Sequence, residues 1–180
     1  DEFINYTVYQ PLGVVGLITP WNAPFMLLTW KVAPALATGN TVVLKPAELS
    51  PLSANMLANV IQKAELPKGV FNVVHGFGET AGEALVKHPT VKAISFTGET
   101  TTGKRIIKNS ADSLKKTSME LGGKSPLIVF EDADFENALD AAVWGIFSFN
   151  GERCTANSRV FVHKAIKEKF VAALKTRVEN

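Results

Sequence analysis

This sequence of 180 residues has one cysteine, three histidines and a net charge of +2. Each of these shortages excludes something. A lone Cys154 cannot close an internal disulfide, which fits a reducing compartment and a cytoplasmic location. His75, His88 and His163 are scattered, and beside a single thiol they offer no zinc-ligand spacing, so no metal is expected. No apolar run reaches the ~18 residues that a membrane-spanning helix needs, so no membrane is expected as a partner. The first ten residues, DEFINYTVYQ, are acidic and polar and lack the pattern of a signal peptide. They also lack an initiating Met, which reads as a chain processed or cut from a longer one. Basic stripes with interleaved aromatics are missing too, so nucleic acid is not an expected partner.

What is present is an alternating pattern of strands and helices. The composition, 46% hydrophobic and 20% charged, supplies a real core and fits one domain or one and a fraction. Short Val- and Ile-rich runs predict strands at 12–18, 41–45, 71–76, 92–98, 115–121, 125–130 and 158–163. Helical spacing of apolar residues predicts helices at 25–39, 50–66, 79–88, 100–111, 133–149 and 165–180. Gly39 is positioned to end the first helix, and Ser50 followed by Pro51 to start the second. The last helix runs to the chain end without a cap, which again reads as a fragment. Such alternation predicts an α/β fold, a parallel sheet with helices on both faces. In that architecture the loops at the carboxyl ends of the strands carry the site.

Six polar stretches stand out, and each alone has an ordinary reading. In TPWNAPF (19–25), Asn22 can serve its own turn; in KPAELSP (45–51), Lys45 and Glu48 can be solvated charges. HGFGETAG (75–82) is one residue longer than the dinucleotide fingerprint. FTGETTTGK (96–104) spells a phosphate loop, G-x-x-x-x-G-K, up to its last position, where Arg105 replaces the Ser or Thr that would ligate magnesium. Its turn still leaves backbone N–H groups at a helix start, where an anion is favoured. MELGGKSP (119–126) can be a glycine turn, and Cys154 in NGERCTANSR (150–159) a small apolar residue or a nucleophile.

Together, and in this order, the stretches PWNAPFMLLTWKVAPALATGNTVVLKPAE, FNVVHGFGETAGEALVKHPTVKAISFTGETTTG, MELGGKSPLIVFEDAD and GERCTANSR resemble the aldehyde dehydrogenase family, from about Tyr9 to the end. The resemblance implies a Rossmann-like cofactor-binding domain over 1–122, incomplete at its start. It also implies the beginning of a second α/β catalytic domain over 123–180. Cys154 would attack the aldehyde, giving a thiohemiacetal and then an acyl-thioester. The side-chain amide of Asn22 and the backbone N–H of Cys154 would hold the oxyanion, and Glu120 would activate the water that releases the acid. NAD is the implied cofactor. Ile18, Thr19, Pro20 and Trp21 would line its pocket, while Lys45, Pro46 and Glu48 would meet the adenosine ribose. Gly78, Gly82 and Phe96 would form the turns around adenine and phosphates, and Thr97, Gly98 and Glu99 would face the pyrophosphate. Leu121 and Gly122 complete the set, Gly122 and Gly123 letting the backbone pass close to the cofactor. NADP is less favoured, because a carboxylate at Glu48 repels a 2′-phosphate.

Two departures from the family pattern matter. Glu99 stands where Ser is common, and is expected to turn toward Lys104 or Arg105. Glu152 stands where Gln is common and is followed by Arg153, read either as a clamp for a substrate carboxylate or as a surface or structural arginine, for which Glu152 is one candidate partner. These stretches look most like the branch acting on hydroxymuconic semialdehydes of aromatic catabolism, carboxymethyl-substituted ones in particular. The implied partner is a small aldehyde, the complete protein is expected to be a homo-oligomer, and the 180-residue chain alone is expected to be inactive. Two rival classes are a cysteine thioesterase or esterase using Cys154 and Glu120, and a non-catalytic relative of the same fold.

Overall fold

The computed structural model describes residues 3–179. Asp1 and Glu2 of the polar N-terminus, and Asn180 of the expected last helix, lie outside the described residues. The chain folds as two units, one ending at Leu121 and the other beginning at Gly122.

The first unit is built on a five-stranded parallel sheet in the order β3-β2-β1-β4-β5. Its strands are β1 (Val14–Ile18), β2 (Thr41–Lys45), β3 (Phe71–Val73), β4 (Val91–Thr97) and β5 (Lys116–Glu120). Its helices are α1 (Pro24–Ala37), α2 (Leu52–Lys63), α3 (Glu83–Lys87) and α4 (Thr100–Ser110). The chain starts at β1, steps outward to β2 and β3, then returns to lay β4 on the other flank of β1. The strand order therefore reverses between β1 and β4, which opens a crevice at their carboxyl ends.

The two-residue period of the strands sorts their side chains to two buried faces. Val15, Leu17, Val42 and Leu44 pack under Leu28 and Val32 of α1 and Ala54 of α2. Ile18, Ile94 and Phe96 pack on the opposite face with Leu85 and Val86 of α3 and Ile106 of α4. Helices thus cover both faces, as the alternating sequence predicts. Gly16 sits at the centre of β1, where a β-carbon would lie 2.6 Å from Ile94 Cδ1 and 3.1 Å from Leu85 Cγ. The strand has room for no side chain there.

Local signals explain most of the element ends. Gly39 adopts φ +79° and donates to the Leu36 carbonyl while Asn40 donates to that of Ala35, closing α1 with paired C-terminal bonds. Ser50 does not do what its position predicts: α2 opens at Pro51, whose φ and ψ are already helical, and the Ser50 hydroxyl is buried without a partner. β3 stops at Val73 rather than 76, because the chain turns away through Gly76 at φ +141°. The helix expected over 79–88 begins as a single π-helical turn, Gly78–Gly82, before α3 takes over.

The second unit pairs β6 (Pro126–Val129) with β7 (Arg159–Val162) in parallel, joined through α5 (Phe135–Phe147) and followed by α6 (Lys167–Glu179). Its core is Val129, Leu139, Ala142 and Phe170, with Phe135 set edge-on to Phe170 at 5.8 Å. Asp134 caps α5 by accepting from the Asn137 N–H. Among the described residues no helix is long and apolar enough to cross a membrane.

Gly16→Val forces two methyl groups into the filled space beside Ile94 and Leu85. Overpacking of this kind costs ~1–3 kcal/mol, so denaturant titration of the protein should show that loss; a midpoint unchanged from wild type would show that the β1–α3 contact is looser than described.

Candidate active site

The first unit gathers its polar residues at the carboxyl edge of the sheet because parallel pairing aligns the strand ends. Ile18 is in register with Lys45 on one side and Phe96 on the other, and Thr97 with Glu120. The residues that follow each strand therefore leave from one edge. Thr19 is buried and donates its N–H to the Lys45 carbonyl. Trp21 is 47% exposed, and Asn22 is partly buried and engaged in the fold.

A half-open cleft lies between α3 and α4, floored by Ile18, Phe96 and Val86 and lined by Lys45, Gly78 and Gly82. Five of the positions assigned to the cofactor from the sequence thus meet in one place. Lys45 is 3% exposed. Its stem packs beside Gly82, where a β-carbon would lie in ordinary contact at 3.5 Å from Cδ. Its ammonium donates to the Pro46 carbonyl at 2.8 Å and to Glu48 Oε2 at 3.3 Å. The Glu48 carboxyl is held below the usual range, first by its own backbone N–H and then by Lys45. At the rim, Glu83 of α3 pairs with Arg105 of α4 and with Lys87.

The turn after β4 settles how FTGETTTGK is built. A β-carbon on Gly98 would meet the Phe96 ring at 2.6 Å, and one on Gly103 would meet Leu121 Cδ2 at 2.7 Å. Both glycines of the phosphate-loop lookalike are packing positions, and Leu121 belongs to this helix contact. Gly98 donates to the Glu120 carbonyl at 3.0 Å, which ties the β4 turn to the end of β5. The Thr97 hydroxyl is buried beneath this turn with no partner. Glu99 does not turn toward Lys104 or Arg105. It caps α4, accepting from the Thr102 N–H and from the hydroxyls of Thr101 and Thr102. Capping wins because the free N–H groups of a helix start are the nearest donors and carry the positive end of its dipole.

Glu120 ends β5 with its side chain exposed. Lys31, which the sequence reading passed over, is electrostatically linked to it. Burial lowers the Lys31 pKa, and the Glu120 charge opposes that shift. Lys31 donates to the Ser95 hydroxyl at 2.8 Å. The available signal was its isolation: it is the one charged residue in the fourteen of α1, PFMLLTWKVAPALA.

In the second unit Cys154 is exposed, in the loop between α5 and β7. Phe149 and Asn150 both hold left-handed conformations, φ 54° and 55°, and Gly151 follows at 73°. Two such non-glycine residues in succession cost ~1–2 kcal/mol each, so this reversal is held by what it contacts. Gly123 presses on the cysteine: a β-carbon there would lie 2.7 Å from the Cys154 carbonyl oxygen. Its neighbour Gly122 has open space where a side chain would be. Arg153, read as a possible substrate clamp or as a structural arginine, contacts α5. Its Nη2 donates to the carbonyls of Gly145 at 3.2 Å and Trp144 at 3.4 Å, and its guanidinium stacks 4.3 Å from the Trp144 ring centre.

A family model described as the aldehyde dehydrogenase family matches residues 1–180. The chain belongs to the aldehyde dehydrogenase family. It is 60% identical over 171 residues to a 5-carboxymethyl-2-hydroxymuconate semialdehyde dehydrogenase of Escherichia coli, covering 95% of this chain and 36% of that enzyme. It is similar to the crystal structure of HpcC from Thermus thermophilus, with a TM-score of 0.92 and 62% identity, over 94% of this chain and 33% of the other. A betaine aldehyde dehydrogenase from Staphylococcus aureus, solved in complex with NAD+, gives a TM-score of 0.93 at 45% identity, over 94% and 34%. The chain thus spans about a third of the length of these relatives, and their structures share the parallel-sheet α/β fold expected from the sequence.

Glu99→Ala removes the cap of α4 and should destabilise the protein by ~1 kcal/mol, whereas Glu99→Ser, which retains a capping oxygen, should cost little. Paired denaturation curves check this, and equal losses in both variants would refute the capping role.

Proposed function

We propose that the protein oxidises an aldehyde to a carboxylic acid with NAD, using a cysteine nucleophile. The observation that carries this reading is the exposed Cys154, seated by its backbone against Gly123, in a chain that belongs to the aldehyde dehydrogenase family. In this reading residues 1–122 are part of the cofactor-binding domain and 123–180 the start of the catalytic domain.

The residues of the first unit fit NAD. The cleft floor is apolar, as an adenine ring requires, and a β-carbon on Gly78 would meet nothing within 4 Å, which leaves the wall open to a ligand. Lys45 and Glu48 offer a donor and an acceptor for ribose hydroxyls, and the Glu48 carboxylate disfavours a 2′-phosphate. Ile18, Thr19, Pro20, Trp21 and Pro46 frame that end. Gly82, Phe96, Thr97, Gly98 and Glu99 form the turns toward the pyrophosphate, and Leu121 and Gly122 follow the base. The S. aureus relative solved with NAD+ supports the same choice. When bound, NAD accepts the hydride that the aldehyde carbon gives up.

The chain's own residues do the rest. The Cys154 thiolate adds to the carbonyl carbon. The Asn22 amide and the Cys154 N–H donate to the oxyanion. Loss of one such donor costs ~10²–10³ in rate. After hydride leaves, an acyl-thioester remains on Cys154, and Glu120 takes a proton from the water that cleaves it. The substrate proposed is a semialdehyde of the hydroxymuconic kind, on the strength of the E. coli relative.

Cys154→Ala in the full-length protein should abolish NADH formation while leaving NAD affinity within a few-fold; retained oxidation would refute the nucleophile. Release of acid from an ester, with no NADH formed from any aldehyde, would make the protein a hydrolase. Glu120→Gln should slow deacylation more than acylation, so rapid mixing should show a burst of NADH that persists or grows. A burst that disappears with turnover would place Glu120 in an earlier step.

A further inference from the structure

We infer that Arg153 is a positioning residue that locks the Cys154 loop onto the C-terminal end of α5, and that it does so through the Trp144 ring. This rests on the reading of Cys154 as the nucleophile. The last carbonyls of a helix have no partners within it and carry the negative end of its dipole. At the end of α5 the Arg153 guanidinium reaches two carbonyls that it shares with other donors: that of Trp144, which also accepts from the Ser148 N–H and hydroxyl, and that of Gly145. Part of the cap thus comes from the residue next to the cysteine, eight and nine positions further on than the carbonyls it meets. The guanidinium carbon lies over the Trp144 ring, 4.3 Å from its centre, a cation–π contact that adds to the two hydrogen bonds.

The same helix end holds the far side of the loop. Asn157 donates its N–H to the Gly145 carbonyl at 2.9 Å. Its side chain lies where a β-carbon on Gly145 would be, 2.4 Å from Nδ2. Residues 153 and 157 are therefore both tied to one turn of α5, and the cysteine sits between the two ties. Such a brace fixes the direction of the Cys154 N–H and Cα–Cβ bonds. A misplacement of about 1 Å at a reacting group can lower the rate ~10²-fold. One donor of Arg153 stays outside the brace, because its Nε–H is buried with no acceptor. A contact from Nε to a substrate carboxylate is the competing role.

The test uses the full-length enzyme and two aldehydes of similar length, one carrying a carboxylate and one neutral. Arg153→Met should lower kcat by ~10²-fold on both, with KM and NAD affinity within a few-fold. Arg153→Lys should recover part of the loss, since the charge at the helix end remains but the fork does not. Trp144 is 65% exposed and can be changed with little risk to folding. Trp144→Leu should lower kcat several-fold and Trp144→Phe should not. The double variant Arg153→Met/Trp144→Leu should be no slower than Arg153→Met alone, because the two changes break one brace. If Arg153→Met fails to fold, Arg153→Lys and the Trp144 pair decide the matter by the same kcat-against-KM comparison. A loss confined to KM or to the carboxylate-bearing aldehyde, additive effects of the two changes, or wild-type kcat in Trp144→Leu would overturn the inference. Oxidation that survives Cys154→Ala would overturn the proposed function instead, whatever Arg153 does.

Discussion

The parallel pairing of β1 with β2 on one flank and β4 on the other is the constraint on which the first unit depends. Because Ile18 is in register with both Lys45 and Phe96, three strands end at one level. The chain has to leave the sheet there, and the leaving residues are polar because both faces are already filled with aliphatic side chains. On one face α3 and α4 lie side by side, bridged by Glu83 and Arg105, and the cleft opens between them above Ile18 and Phe96. Position along the strand, more than the chemistry of any one loop, puts Ile18, Lys45 and Phe96 around the same space.

Absent side chains do as much positioning as present ones. Gly103 admits Leu121, and Gly123 admits the Cys154 peptide. Each joins parts of the chain that a methyl group would push apart. The cysteine loop shows the consequence most clearly. Its two left-handed non-glycine residues are unfavourable by themselves, and they are held because contacts at Gly123, Gly145 and Trp144 determine where the chain must go next.

In each unit the charges that stand out in the sequence are satisfied locally before any ligand arrives. Glu99 caps its own helix, Arg105 meets Glu83, and Arg153 meets the end of α5. A carboxylate already bound to the first turn of α4 shares that helix start with any pyrophosphate placed there. A guanidinium already stacked on an indole has little freedom to follow a substrate. The arrangement favours rigidity at the Cys154 loop and at the strand edge.

The sequence by itself determined the order of strands and helices, the two-faced burial of the sheet, the family and the one thiol available for chemistry. These are written in short-range signals: a period of two or of 3.6, a glycine after a helix, a motif of a few residues. Tertiary structure decided which groups those residues meet. Lys31 finds Ser95 across 64 positions, and Arg105 finds Glu83 across 22. Glu99 had three cationic or capping options within six residues, and only the backbone path after Thr97 selected the helix start. Gly123 was legible as a turn, but its contact with Cys154 depends on a loop that returns past α5. Partners of this kind are set by the packing of elements distant in sequence, and no local period encodes them.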